Sequence, residues 1–133
     1  MTILPTTLDE LKRRARSAAA HAHAPYSRFP VGAAVLSDAG MHGGANVENA
    51  SYGLSICAER NAIFQAVSQG ARRIEAVCVY TPTSAAVTPC GACLQVMREF
   101  AADALIVCCT GDDEAERRYR LSELLPAAFR LEP

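Results

Sequence analysis

The chain has 133 residues, half hydrophobic and a fifth charged, with 13 Lys and Arg against 14 Asp and Glu and a net charge of -1. That length suits a single domain, 1–133, with an adequate core, and the near-neutral balance argues against a basic nucleic-acid face. No apolar run approaches the ~20 residues of a membrane span, and residues 1–8 lack the pattern of a secretory leader. A cytoplasmic location is expected, where six cysteines mean thiols and metal more readily than disulfides.

Thr7-Leu8-Asp9-Glu10 reads as a capping box, with Thr7 as N-cap, opening an alanine-rich helix to about Ala22. The basic run Lys12-Arg13-Arg14-Ala15-Arg16 is then a solvated helix face. Pro25 to Pro30 is an irregular loop. Val31 to Ser37 suits a buried strand, Asp38-Ala39-Gly40 a turn, and Met41 to Asn46 an antiparallel return weakened by Gly43 and Gly44. After the polar segment Asn46 to Ser55, a helix starts near Ile56, with Ile63, Phe64, Ala66 and Val67 on its apolar face and Gly70 as its stop.

Ile74 to Tyr80 is a strand, Cys90 to Ala102 a helix and Ala104 to Cys109 another strand. Residues 111–118 read as an exposed loop, Tyr119 to Leu121 as a short strand and Ser122 to Leu125 as a helical turn. This order predicts an α/β fold with helices on both faces of a mixed sheet, without internal repeat or linker.

The chemistry concentrates in Cys57-Ala58-Glu59 and Pro89-Cys90-Gly91-Ala92-Cys93. Cys90 and Cys93 share one side of a first helical turn, and Cys57 opens the preceding helix. Both helix N-termini can point at one metal, where free N–H groups and the helix dipole favour thiolate over thiol. Pro89 suits a first turn, which needs no N–H partner. Three cysteines with a carboxylate can build a catalytic zinc site, which keeps one position open, rather than a structural one. A redox or merely buried Cys-x-x-Cys pair is the alternative, and it lacks its usual setting here. Cys78, Cys108 and Cys109 lie in apolar strand patterns and read as buried hydrophobes, while His21, His23 and His42 lack metal-ligand spacing to the cysteines.

Those two motifs, together with Tyr26 to Ala34, Asn46 to Gly53, the Leu94-Gln95-Val96 continuation and the tail Leu124 to Phe129, resemble the small, homotetrameric zinc-dependent cytidine deaminases along nearly the whole chain. The resemblance implies a three-layer α-β-α sandwich with a mixed, about five-stranded sheet. It implies one Zn2+ per subunit on Cys57, Cys90 and Cys93, with Glu59 as the proton shuttle, and hydrolysis of cytidine and 2′-deoxycytidine to the uridines with release of ammonia, in pyrimidine salvage. Backbone N–H groups near Cys57 and Ala58 could hold the base, and Asn46 and Glu48 take ribose-binding positions, with Glu48 favouring a nucleoside over a nucleotide. Loop-stabilising hydrogen bonds are the other reading of that pair.

Phe29 would pack on the base. Tyr52 and Phe129 would reach a neighbouring subunit's site, so a homotetramer with shared sites is implied; plain core is the alternative reading of either aromatic. Arg60, three residues after Cys57, would hydrogen-bond a thiolate and offset the extra negative charge of a three-cysteine site, or form an ordinary salt bridge. Two positions depart from the family pattern: Leu94 stands where arginine is frequent, and Ala45 where cysteine is common. The competing functions are deamination of a blasticidin-type antibiotic, against which the Asn46-Val47-Glu48-Asn49 segment argues, and a non-catalytic zinc-stabilised oligomer, which would not need Glu59.

Overall fold

The computed structural model describes residues 2–133. Its elements in chain order are α1 (Pro5–Ala19), β1 (Gly32–Ser37), β2 (Gly40–Ala45), a 3-10 turn (Tyr52–Leu54), α2 (Ala58–Ser68), β3 (Ile74–Tyr80), α3 (Gly91–Phe100), β4 (Leu105–Cys109), a second 3-10 turn (Asp113–Ala115), β5 (Arg117–Arg120) and α4 (Leu121–Leu124). The five strands form one sheet in the order β2-β1-β3-β4-β5. Only β3 and β4 run parallel, joined by the crossover that contains α3; the other pairs are antiparallel.

Alternating side chains along β1, β3 and β4 feed two cores, as the period of a strand requires. Ala33, Val35, Val77, Val79, Ile106 and Cys108 pack with Ala62, Ile63, Ala66, Leu94, Met97 and Leu121 from α2, α3 and α4. Ala34, Ala76, Cys78, Val107 and Cys109 pack on the other face against Leu8, Leu11 and Ala15 of α1. The expected α-β-α layering and mixed five-stranded sheet are what forms.

Two glycines let helices come close to the sheet. A Cβ on Gly32 would stand 1.9 Å from the Ala15 carbonyl oxygen, and one on Gly44 would stand 2.5 Å from the Ala62 nitrogen. Gly44 is thus where β2 makes room for the N-terminal half of α2; its place in a strand reflects backbone approach as much as strand weakness.

Several boundaries differ from the sequence reading. Helix α1 starts at Pro5 with Leu4 as N-cap and no side-chain cap, so Thr7 is helical. Proline at the first position needs no N–H partner and its φ is already helical, which favours the earlier start. The acceptor expected to complete the box, Glu10, instead takes Arg13 and Arg14. After Ala19 the chain continues as a tight turn, with the N–H groups of Ala20, His21 and Ala22 bonded three residues back. Cys90, rather than a residue before it, is the N-cap of α3, which puts Pro89 outside the helix. Strand β5 begins at Arg117, inside the expected loop, because it pairs with Cys108 along the sheet edge; its charged side chains suit an edge. Gly70, at φ 105, follows α2 as expected of a helix stop.

Candidate metal and catalytic site

Cys57 is the N-cap of α2 and Cys90 the N-cap of α3, and neither side chain caps its own helix. Both sulfurs are therefore free to face outward from the helix ends. Cys93 follows in the first turn of α3. The Sγ atoms of Cys57 and Cys90 lie 3.9 Å apart and those of Cys90 and Cys93 3.5 Å apart, and all three fall within 4.8 Å of one another. Zinc–sulfur bonds of about 2.3 Å in a tetrahedron place sulfurs about 3.8 Å apart. The thiol triad fits that spacing, and none of the three histidines joins it.

The electrostatics suit a bound cation. The Cys57 thiol is lowered to about 5, chiefly by the hydrogen bond from the Cys93 thiol, with the Arg60 guanidinium adding to it. Arg60 Nη2 donates to Cys57 Sγ at 3.3 Å. Cys93, the donor of the pair, is raised in consequence. Glu59 is buried at 5 % exposure in the first turn of α2, and burial pushes its carboxyl up to about 7. A carboxyl poised there can both accept and release a proton near neutral pH.

These groups border a cavity of about 400 Å³ lined by Phe29, Asn46, Glu48, Cys57, Ala58, Glu59 and Cys90. The remaining lining comes from Ser27, Val31, Val79, Thr81, Val87 and Thr88, none of which the sequence reading assigned to a site. Val79 and Thr81 lie at the carboxyl end of β3, beside the β3–β4 crossover, where open α/β sheets place ligands. Thr88 directly precedes Pro89, so the cysteine motif itself was a pointer to it.

The segment Asn46 to Glu48 is threaded between two neighbours. The His23 N–H donates to Asn46 O at 2.9 Å, the Glu48 N–H to His23 O at 2.8 Å, and Val47 exchanges both main-chain bonds with Ile56. The Asn46 side chain then accepts from the Val31 N–H and donates to Phe29 O, each at 2.9 Å. Glu48 accepts from the N–H groups of Tyr26 and Ser27 at 3.0 and 3.1 Å and from the Ser27 hydroxyl. That hydroxyl bond first, with the two amides, holds the Glu48 carboxyl below its ordinary range despite some desolvation. The loop-stabilising reading of Asn46 and Glu48 is therefore present in the structure, and both side chains also line the cavity.

Neither Tyr52 nor Phe129 lines that cavity within one chain, although Tyr52 borders an adjoining hollow that shares Ser27 and Glu48 with it. Tyr52 is 75 % exposed and meets Tyr26 edge-on, with ring centroids 6.0 Å apart; Phe129 is 69 % exposed, its carbonyl accepting from Gln95. Both are surface residues, so the plain-core alternative does not hold. Leu94 is buried in the core between α3 and the sheet, where a charged arginine head would need a partner.

Residues 5–109 match the family described as the cytidine and deoxycytidylate deaminase zinc-binding region. A cytidine deaminase of Halalkalibacterium halodurans is 49 % identical over 114 residues, covering 84 % of this chain and 85 % of its own length. One from Mycobacterium tuberculosis is 42 % identical over 123 residues, covering 92 % and 89 %. The crystal structure of cytidine deaminase from Burkholderia pseudomallei superposes with a TM-score of 0.86 at 42 % identity, over 91 % of this chain and 98 % of that one. Agreement of this extent in sequence and in backbone, over the residues that carry the thiol triad, means that the chain belongs to the cytidine and deoxycytidylate deaminase zinc-binding family.

Proposed function

We propose that the protein is a zinc-dependent cytidine deaminase, acting on cytidine and 2′-deoxycytidine in pyrimidine salvage, with residues 1–133 as one deaminase domain. The observation that carries this reading is a carboxyl, Glu59, buried beside three clustered cysteines on a cavity that also presents Asn46 and Glu48. Cys57, Cys90 and Cys93 hold one Zn2+ per subunit. Zinc so held supplies a Lewis acid that makes water more acidic near neutral pH.

Glu59 takes a proton from the attacking water and delivers it to ring N3 as the water oxygen bonds to C4. A second proton passes through Glu59 to the exocyclic amino group, the C4–N bond breaks, and ammonia leaves with uridine as the other product. The Ala58 segment at the N-terminus of α2 offers N–H groups to the base, since the first N–H groups of a helix lack intrahelical partners. Phe29 packs on the base. Asn46 and Glu48 hold the sugar with the bonding capacity left over from the loop, and the negative charge of Glu48 disfavours a 5′-phosphate.

Two further features of the reading concern assembly and place. Tyr52 and Phe129, aromatic and exposed, suit a homotetramer in which they complete a neighbour's site. Large exposed apolar side chains at Tyr26, Leu54 and Phe64 support association. A cytoplasmic enzyme acting on free nucleosides, without nucleic acid or membrane as partner, agrees with the net charge of -1; among the described residues no helix is long and apolar enough to cross a membrane.

The test is the ultraviolet absorbance of cytidine mixed with zinc-loaded protein, beside the Glu59→Gln variant assayed for zinc and activity. Conversion by wild type alone, with zinc retained in both, is the expected result. No conversion by zinc-loaded wild type overturns the cytidine assignment, and full activity in Glu59→Gln overturns the proton-shuttle mechanism.

A further inference from the structure

Ser27 makes three bonds at the rim of the cavity. Its main-chain N–H donates to Glu48 Oε1 at 3.1 Å and its hydroxyl donates to Glu48 Oε2. One residue thereby grips both oxygens of the carboxylate, and the Tyr26 N–H adds a donor to Oε1 at 3.0 Å. The same hydroxyl accepts from the Phe29 N–H at 3.1 Å. A hydroxyl has one proton; with that proton on Glu48, its lone pairs are what the Phe29 amide meets.

Between these anchored residues sits Arg28 at φ 57. A non-glycine residue in the left-handed region is disfavoured by sterics and persists where its surroundings over-determine it. Here the Arg28 N–H donates to Ala24 O at 2.9 Å on one side, and the Ser27 hydroxyl holds the Phe29 N–H on the other. The turn carries Phe29 onto the cavity that Glu48, Asn46 and Glu59 also line. An ionised carboxylate has about four acceptor sites, and the chain's own donors use three of them on Glu48, which leaves a single site on Oε2 for a ligand.

We propose that Ser27 is a positioning residue for substrate binding: its hydroxyl orients Glu48 so that one acceptor site is left for a sugar hydroxyl, and locks the Arg28 turn that presents Phe29. The role rests on the nucleoside reading of the cavity. It acts on binding rather than on the bond-making step, since Ser27 works through Glu48 and Phe29 and not through Glu59.

The test compares Ser27→Thr with Ser27→Val, two side chains of similar shape that differ in the hydroxyl, by kcat and KM for cytidine. Ser27→Val is expected to raise KM about tenfold, the scale of one hydrogen bond to a charged group, with a much smaller change in kcat, while Ser27→Thr stays near wild type. In a Glu48→Ala background the difference between the Thr and Val proteins should shrink sharply, because the main group through which Ser27 acts is gone. Equal KM in the two variants, or an undiminished difference without Glu48, overturns the proposal. So does a Val protein that fails to fold while the Thr protein folds, since the hydroxyl is then a folding requirement. Should neither branched variant fold, Ser27→Ala against wild type reads the same KM and kcat split, and an unchanged KM there overturns the proposal. Absence of cytidine turnover by the wild type is a separate failure: it removes the nucleoside reading itself, and the role of Ser27 with it.

Discussion

Arg60 Nη2 donates to Cys57 Sγ at 3.3 Å, linking the third residue of α2 to the N-cap residue before it. A carboxylate partner for Arg60 is absent from the ion pairs among the described residues. The contact favours thiolate at Cys57 and in turn holds the Arg60 guanidinium protonated, raised first by that same sulfur. Three thiolates around a divalent cation leave one excess negative charge, which weakens the cation as a Lewis acid; a guanidinium on one sulfur draws that charge off.

Arg60→Ala is therefore expected to lower kcat by about tenfold or more and to weaken zinc retention, the range seen when a partner of a metal ligand is removed. Zinc content against a chelator and turnover at saturating cytidine check it together. Unchanged values in both would make Arg60 a bystander.

Asn46 joins two backbone groups of the rim, accepting from the Val31 N–H and donating to Phe29 O. Asn46→Asp keeps the acceptor and loses the donor, placing a negative oxygen toward the Phe29 carbonyl. We expect a rise in KM for cytidine with a stability loss of about 1–2 kcal/mol, and less protection of rim amides in hydrogen exchange. A stability loss without any change in KM would confine Asn46 to loop support.

Gly44 and Gly32 separate two consequences of close packing. A Cβ at Gly44 would meet the Ala62 nitrogen at 2.5 Å and the Ala58 carbonyl oxygen at 3.0 Å, on the helix whose N-terminus carries Cys57. A Cβ at Gly32 would meet Ala15 of α1, on the opposite face of the sheet. Both alanine variants should lose roughly 1–3 kcal/mol or more. Only Gly44→Ala is expected to weaken zinc binding as well, read as metal affinity in folded protein. Equal zinc affinity in the two would mean that α2 absorbs the added methyl without moving its N-terminus.

Glu116 ties α1 to the segment before β5, accepting from Lys12 Nζ at 3.0 Å and from Arg118 Nε at 2.6 Å. Burial works to raise its carboxyl, but the hydrogen bonds from Lys12 and Arg118 outweigh it and the net direction is down. A carboxyl depressed on folding contributes stability that is present above its unfolded value near 4.5 and is lost as pH falls through the lower folded value. Glu116→Gln should thus cost about 1 kcal/mol at pH 7 and flatten the fall in stability on acidification below that value. Urea midpoints at pH 7 and pH 3 measure it; the same slope in both proteins would assign the acid loss to other carboxylates.

Legibility in the sequence tracked how local each cause was. Strand β3 matched at both ends, since its apolar run and flanking polar residues are local signals. Gly70 likewise marked the end of α2, because a left-handed stop needs only the one residue. The start of α1 was misread because two local rules competed and proline at its first position prevailed over Thr7. Strand β5 was misplaced for a different reason: Arg117 and Arg118 carry no strand pattern, and their pairing with Cys108 and Val107 is a property of the sheet edge.

The candidate site divides in the same way. Cys57, Cys90 and Cys93 were legible as one cluster because metal binding demands particular side chains, and both motifs sit at helix starts that the flanking residues announce. By itself the sequence determined the three candidate cysteine donors, the carboxylate two residues from the first of them, the near-neutral charge and the α/β alternation. It left open whether the two motifs meet, since the helices that carry them are separated by β3. Only the tertiary structure decided that. The α2–β3–α3 order places both helices on one face of the sheet with their N-termini converging, close packing at Gly44 seats α2, and the cysteine sulfurs end within 4.8 Å. Ser27, Val79, Thr81 and Thr88 joined the cavity by the same packing, because small or uncharged residues acquire a role in a pocket only from what surrounds them.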